Sequence, residues 1–323
     1  MTTSLPPNRP RLILRAGALA AGYNDDEIKR LRRSGQWTSA ARGAYFDNAN
    51  APKLSGAERH RLMVDTAVPR LSGEPVVSHL SAVVLHGLPL WRTHLNEVHV
   101  TRRAPAKAHR GSMVHSHLAA LEPDDVVLVD HRRVTSPTRT VVDVARTVPF
   151  EQGVIVADAA LRLGLTTHEK LADQLKRSRR MPGARAAGRM IAFADGRSES
   201  VGESRSRVMM HREGLPQPEL QMTVCDGDGT FLGRADFGYR RRKVLGEFDG
   251  KLKYQGGPHG EDPGDVVFRE KQREDALRAA GWTVVRWIWA DLDEPAAVVH
   301  RLRRALDRPP LGGLEPAQGL AGR

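Results

Sequence analysis

The chain has 323 residues and a mass of 35.6 kDa, enough for two or three modest domains. Its apolar fraction of 40% suits a soluble fold, no uncharged apolar run approaches a membrane span, and the N-terminal MTTSLPPNRP lacks the apolar stretch of a secretory signal, so a cytoplasmic protein with no membrane partner is expected. Cys225 is the lone cysteine, which excludes an intrachain disulfide or a cysteine-based zinc site, and a net charge of +12, from 50 Lys and Arg against 38 Asp and Glu, favours a polyanionic partner. The same Arg, Ala, Gly and Val usage follows from a GC-rich genome, so charge alone does not assign nucleic acid.

Residues 1–10 are polar and proline-rich and are expected to be disordered. A helix is predicted over 11–20, stopping at Gly22. Asn24 then caps a second helix, and Glu27, three residues on, completes a capping box; that helix breaks at Gly35. Gln36–Ala40 and Gly43–Phe46 read as two short strands around Arg42. Helix, turn, basic helix and hairpin over 11–50 is the order of a winged helix-turn-helix. Lys29, Arg30, Arg32 and Arg33 on the second helix, with Arg42 on the wing, are the candidate contacts to duplex DNA. The alternative is a small helical cap with a solvated basic face.

A middle α/β region is expected over 51–150. SHLSAVVLHGLPL (78–90) predicts a helix from Ser78 to His86 ended by Gly87 and Pro89, NEVHVTRRA (96–104) alternates as a strand, and Ser136 and Pro137 open a further helix as N-cap and first helical residue. Helices over 151–163 and 166–177 and a basic, Gly- and Pro-containing stretch form a helical connector over 151–198. His79 and His86 are seven apart on a helix, and His115 and His117 two apart on a strand. Neither pair has an acidic or cysteine companion nearby in sequence, so both read as satisfied or solvated histidines rather than a metal site. No internal repeat is visible, and the tail over 308–323 is expected to be disordered.

From 199 to 307 the pattern sharpens. A helix runs from Ser200 to Gly214, two strands flank the hairpin signal Asp226-Gly227-Asp228-Gly229, and RRKVLGEFDG is a third strand. DVVFREKQREDALRAAG is an amphipathic helix ended by Gly281, WTVVRWIWADL a fourth strand and EPAAVVHRLRRAL a final helix. The order is α-β-β-β-α-β-α. In VLGEFDGKLKY (244–254), Glu247 and Asp249 share one face of the third strand and repel each other unless a cation or a proton sits between them. Such an arrangement suits a metal site better than a core.

That order, with Asp236 in RADFGY and Glu247 in LGEFDG eleven residues apart, resembles the PD-(D/E)xK nuclease superfamily. EFDGKLKY and REDALRAAGWTVVRW look more narrowly like the domain-of-unknown-function 559 family, itself similar to the very-short-patch mismatch-repair endonucleases, over about 199–306. The resemblance implies a restriction-endonuclease-like α-β-β-β-α-β core. It also implies a site of Glu203, Asp236, Glu247, Asp249 and Lys253, with Asp236, Glu247 and Asp249 holding Mg²⁺ (or Mn²⁺) for phosphodiester hydrolysis and Arg273 and Arg286 in support. Asp249 stands where the superfamily has a lysine. Lys253, or Lys251, would have to swing back to replace it, Asp249 would be a third ligand, or the site folds without cutting. Glu203 also fits a simple capping partner of Ser200, and Arg273 and Arg286 a structural cluster with the acids.

AAGYNDDEIKRLRRSGQWTSAARGAYF, SHLSAVVLHGLPL and RVTSPTRTVVDVAR look like the AbiEi-type antitoxins of type IV toxin–antitoxin systems, over roughly 5–150. This resemblance implies a DNA-binding repressor with a cognate toxin as partner. The expected fold is therefore α+β and multidomain, and its function is either a DNA-binding, Mg-dependent endonuclease or a non-catalytic, antitoxin-like repressor. A nuclease acting on RNA is a third class, since nothing in the sequence selects deoxyribose.

Overall fold

The computed structural model describes residues 12–48, 54–103, 109–111, 113–250 and 263–308. The fold is α+β and divides into two units, residues 1–194 and 195–323. Among the described residues, no helix is long and apolar enough to cross a membrane.

The first unit opens with β1 (Leu12–Leu14), α1 (Arg15–Ala20), α2 (Asp25–Arg33), β2 (Trp37–Ala41) and β3 (Ala44–Asp47), whose strands form a sheet in the order β1-β3-β2. Leu12–Leu14, expected as the first turn of a helix, instead pairs antiparallel with Phe46–Ala44. Three consecutive apolar residues supply a sheet edge, and the helix starts only at Arg15, whose N–H is taken by the Gly43 carbonyl at 2.8 Å. The capping box on α2 forms as the sequence predicts: Glu27 N–H donates to Asn24 Oδ1 and Asn24 N–H to Glu27 Oε2, both at 2.9 Å. Ala18, Ile28, Trp37 and Tyr45 close a small core beneath it.

There follow α3 (Gly56–Ala67), β4 (Val76–Val77), α4 (His79–Leu85), β5 (Val98–Arg102), β6 (His109–Arg110), β7 (Val114–Leu118), β8 (Val126–Val129) and β9 (Arg132–Thr135), the strands forming a mixed sheet β6-β7-β5-β4-β9-β8. Then come α5 (Pro137–Thr147), α6 (Phe150–Arg162), α7 (His168–Arg177) and α8 (Ala184–Phe193). The expected connector over 151–198 is mostly body rather than link. Eight residues of α6 are buried, and the unit boundary falls at Ala194–Asp195. Ser136 caps α5 with Pro137 at its first position. On α5, buried Arg139 donates to Asp143 at 2.8 Å and to Asp125 at 3.1 Å, and Arg146 to Asp143 at 2.8 Å. Burial raises the Asp143 pKa against the pull of those arginines.

The second unit consists of α9 (Val201–Arg212), β10 (Glu219–Cys225), β11 (Phe231–Tyr239), β12 (Val244–Phe248), α10 (Pro263–Ala279), β13 (Thr283–Trp287), α11 (Trp289–Asp293) and α12 (Ala296–Leu306). Its sheet runs β10-β11-β12-β13; the first two pairings are antiparallel and β12–β13 is parallel. The fourth strand is shorter than its sequence suggests. It stops at Trp287, and Trp289–Asp293 is a helical turn whose Asp291 side chain accepts the Ile288 N–H at 2.9 Å. Two small residues of α9 let it lie close to the sheet. A Cβ on Gly202 would sit 1.9 Å from the Phe248 ring, and Ser206 Oγ accepts the Trp287 indole N–H at 2.7 Å.

Alanine normally stabilises a helix relative to glycine by about 0.5–1 kcal/mol. At position 202 the ring of Phe248 blocks that gain. Gly202→Ala is expected to destabilise the second unit by about 1–3 kcal/mol in chemical denaturation, as overpacking does.

Candidate functional site

The central strand of the second unit carries the carboxylate of interest. Register pairs Phe237 with Gly246, so the next step sets Asp236 opposite Glu247 on one face of β11 and β12. Glu247 lies beside Arg286 on the parallel neighbour β13. Arg273 on α10 donates to Glu247 Oε1 at 2.6 Å and Arg286 to Oε2 at 3.0 Å, so both carboxylate oxygens accept from guanidinium groups. Glu270 bonds Arg273 and Arg286, and Glu274 pairs with Arg286 at 3.0 Å. Burial works against the charge on Arg273, but its bonds to Glu270 and Glu247 more than offset this and raise its pKa.

The other predicted residues lie around this pair. Asp236 Oδ2 accepts the Phe248 N–H at 2.8 Å, and the Asp249 N–H is held by the Trp287 carbonyl at 2.8 Å. Glu203 is buried in the capping arrangement that its spacing allowed: Ser200 Oγ donates to it at 2.7 Å and Glu199 N–H at 2.8 Å. It also accepts from Gln221 Nε2 at 2.7 Å. Gln221, which the sequence reading missed, has φ +52° in the middle of β10, and the register on either side places it opposite Asp236. Nothing in LQMTV distinguishes it from an ordinary strand residue; its left-handed backbone and its bond to Glu203 are visible only in the structure. Lys253, with Lys251, lies outside the described residues.

In the first unit, Lys29, Arg30, Arg32, Arg33 and Arg42 fall where the sequence places them, the first four on α2 and Arg42 in the turn between β2 and β3. Lys29 pairs with Asp26 at 3.0 Å, and the Arg32 guanidinium lies 5.8 Å from the centre of the Tyr45 ring.

A second constellation occupies the middle sheet. His115 and His117, read from sequence as lacking an acidic companion, gain one in space: Glu97 lies 3.8 Å from His115 Nδ1. Parallel register sets His99 of β5 beside His115 of β7, and His79 at the start of α4 stacks on His117 with ring centres 3.7 Å apart. His99 Nδ1 and His117 Nε2 are 2.9 Å apart. Burial and the neighbouring rings push His99 down to about 4 and His117 down to about 3. Among the described residues, the groups of three potential ligand side chains with donor atoms within 4.8 Å of one another are His79, His99, His117 and Glu97, His99, His115; Asp236, Glu247 and Asp249 do not form such a group. His86 stands apart, its Nε2 held at 2.8 Å from the Thr135 carbonyl.

The Glu247–Arg286 pair is largely shielded from solvent and flanked by a second arginine. A double-mutant cycle of Glu247→Ala and Arg286→Ala is expected to give a coupling of about 1–2 kcal/mol in urea unfolding; additive effects would show that the pair contributes nothing.

No protein-family model matches the chain. Two Mycobacterium tuberculosis proteins, uncharacterized protein MT2308 of strain CDC 1551 / Oshkosh and uncharacterized protein Rv2248 of strain ATCC 25618 / H37Rv, are each 32% identical to it over 204 residues, covering 63% of this chain and 71% of theirs. The crystal structure of RV2827C protein from M. tuberculosis covers 57% of this chain and 72% of its own at a TM-score of 0.36 and 16% identity, too weak a likeness to establish a shared fold. With 32% identity across 71% of their length, the chain belongs to the family of MT2308 and Rv2248.

Proposed function

We propose that the chain is a DNA-binding protein whose second unit is built on an endonuclease-like core and whose residues 11–50 dock on duplex DNA as a winged helix. The observation that carries this reading is the second unit's topology. A helix precedes three antiparallel strands, a crossover helix returns the chain to a fourth strand parallel to the third, and Asp236 faces Glu247 across the second and third strands. The N-terminal part of the proposal rests on α2, with four cations on a helix whose buried Ile28 fixes its orientation, and on Arg42 in the adjoining hairpin turn.

A divalent ion of the Mg²⁺ or Mn²⁺ kind requires carboxylate oxygens free to coordinate it at about 2.0–2.1 Å in near-octahedral geometry. Asp236 and Glu247 are the right chemical types. As arranged they do not fit the ion: both Glu247 oxygens face guanidinium groups, Asp236 Oδ2 holds a backbone N–H, and the acids do not converge as a trio. This arrangement supports no hydrolytic step. It favours a second reading, a repressor of the antitoxin kind that binds DNA without cutting it, with a cognate toxin as partner.

The full chain is expected to bind duplex DNA with a steep salt dependence and to leave it intact in Mg²⁺ or Mn²⁺. Replacing Arg30 and Arg33 together by alanine should reduce the salt slope by about 1 for each phosphate no longer neutralised; unchanged affinity and slope would sink the winged-helix assignment. Cleavage by the wild type that disappears in Asp236→Asn would overturn the non-catalytic reading and restore the enzyme.

A further inference from the structure

We propose that His79, His99 and His117 form a binding site for a late first-row divalent transition metal, Zn²⁺ being the type ion. The three imidazoles come from three separate elements, the start of α4 and the neighbouring parallel strands β5 and β7, and one nitrogen from each lies within 4.8 Å of the others. Tetrahedral zinc with Zn–N bonds of about 2.0 Å holds its nitrogen ligands about 3.3 Å apart. The 2.9 Å separation of His99 Nδ1 and His117 Nε2 is a few tenths of an ångström short of that. Two neutral imidazoles share one N–H at such a contact, and a metal ion between them would take both nitrogens once the donor ring's proton moves to its other nitrogen.

The surroundings have the character of a ligand shell. His79 is 4% exposed, has φ +50° and stacks its ring on that of His117 of β7. Its Nδ1 lies 2.9 Å from Ser78 Oγ, which in turn accepts from buried Thr101 at 2.8 Å. In the tautomer with the proton on Nδ1, the ring N–H donates to Ser78 Oγ, the way metal-bound histidines are oriented, and Nε2 is the ligand atom. Neutral imidazole suits zinc, nickel, copper or cobalt and is a poor ligand for Mg²⁺ or Ca²⁺.

The second trio, Glu97, His99 and His115, shares His99 with the first. Its carboxylate is already held by Arg110 at 3.0 Å through both oxygens, which makes it the weaker candidate. Arg139 and Arg146, whose charges act on His79, are themselves paired with Asp125 and Asp143.

The test uses the full chain, stripped with a chelator and titrated with Zn²⁺ and Co²⁺ by calorimetry and visible absorption. One equivalent is expected, with an upward shift of the melting temperature and an X-ray absorption spectrum of the Zn²⁺-loaded wild type fitted by three imidazoles. His117→Gln should abolish saturable binding, Ser78→Ala should weaken it by about 10- to 100-fold, and His86→Gln, outside the cluster, should leave it unchanged. Absence of saturable binding by the wild type overturns the proposal. So does a zinc absorption spectrum without imidazole ligands, which requires no variant to fold, or a folded His117→Gln that binds Zn²⁺ as tightly as the wild type.

Discussion

The second unit depends on one constraint: β12 is a central strand, covered on both faces, and it carries a carboxylate. Val244, Leu245, Gly246 and Phe248 are buried around Glu247. A charge so placed is tolerated only if it is paired, because taking it out of water without a partner costs far more than the fold's net stability can absorb. The parallel pairing with β13 brings Arg286 alongside, and α10, crossing between β12 and β13, brings Arg273 down from above. Gly246 is the corollary on the other face: a Cβ there would meet the Trp287 ring at 2.6 Å, so the strand can approach that indole only with glycine at this point.

The same arrangement bears on what the unit does. A carboxylate clamped by two guanidinium groups is stabilised as an anion, and each of its oxygens already accepts from one of them. Asp236, across the strand pair, is in turn used to fix the start of the turn after β12 through the Phe248 N–H. The kink at Gln221 ties Glu203 to the same end of the sheet. Glu203, Asp236 and Glu247 are thus gathered in one region of the sheet, and each described contact uses them as structural acceptors.

The first unit solves its packing with unusual amounts of buried polarity. The Arg139, Asp143 and Asp125 group lies at the heart of α5, and the imidazole stack of His79, His99, His115 and His117 covers one part of the middle sheet. With only 5% aromatic residues, the chain has few large apolar rings to fill such spaces. The polar groups specify geometry in return, since each guanidinium or imidazole accepts only a few partner directions.

Local signals in the sequence determined a good deal of this protein. The capping box at Asn24 and Glu27, the Ser136-Pro137 helix start, the hairpin at Asp226–Gly229 and the strand and helix order of the second unit were all legible, because each depends on residues close in the chain. So were the cations of α2. Elements whose identity rests on a distant partner were not. Leu12–Leu14 is a strand because Phe46–Ala44 lies beside it, and Trp289–Asp293 leaves the sheet because no neighbour among the described residues extends that far. The site divides in the same way: Glu247 and Asp236 were named from sequence, with a cluster of the acids with Arg273 and Arg286 as one of the readings it left open, but the sequence did not decide between that cluster and a metal site. That Arg273 and Arg286 occupy Glu247, that Gln221 reaches Glu203, and that four histidines with Glu97 meet across α4, β5 and β7 are consequences of register and packing. Such contacts are set by which strands pair, a long-range choice that composition and spacing do not encode.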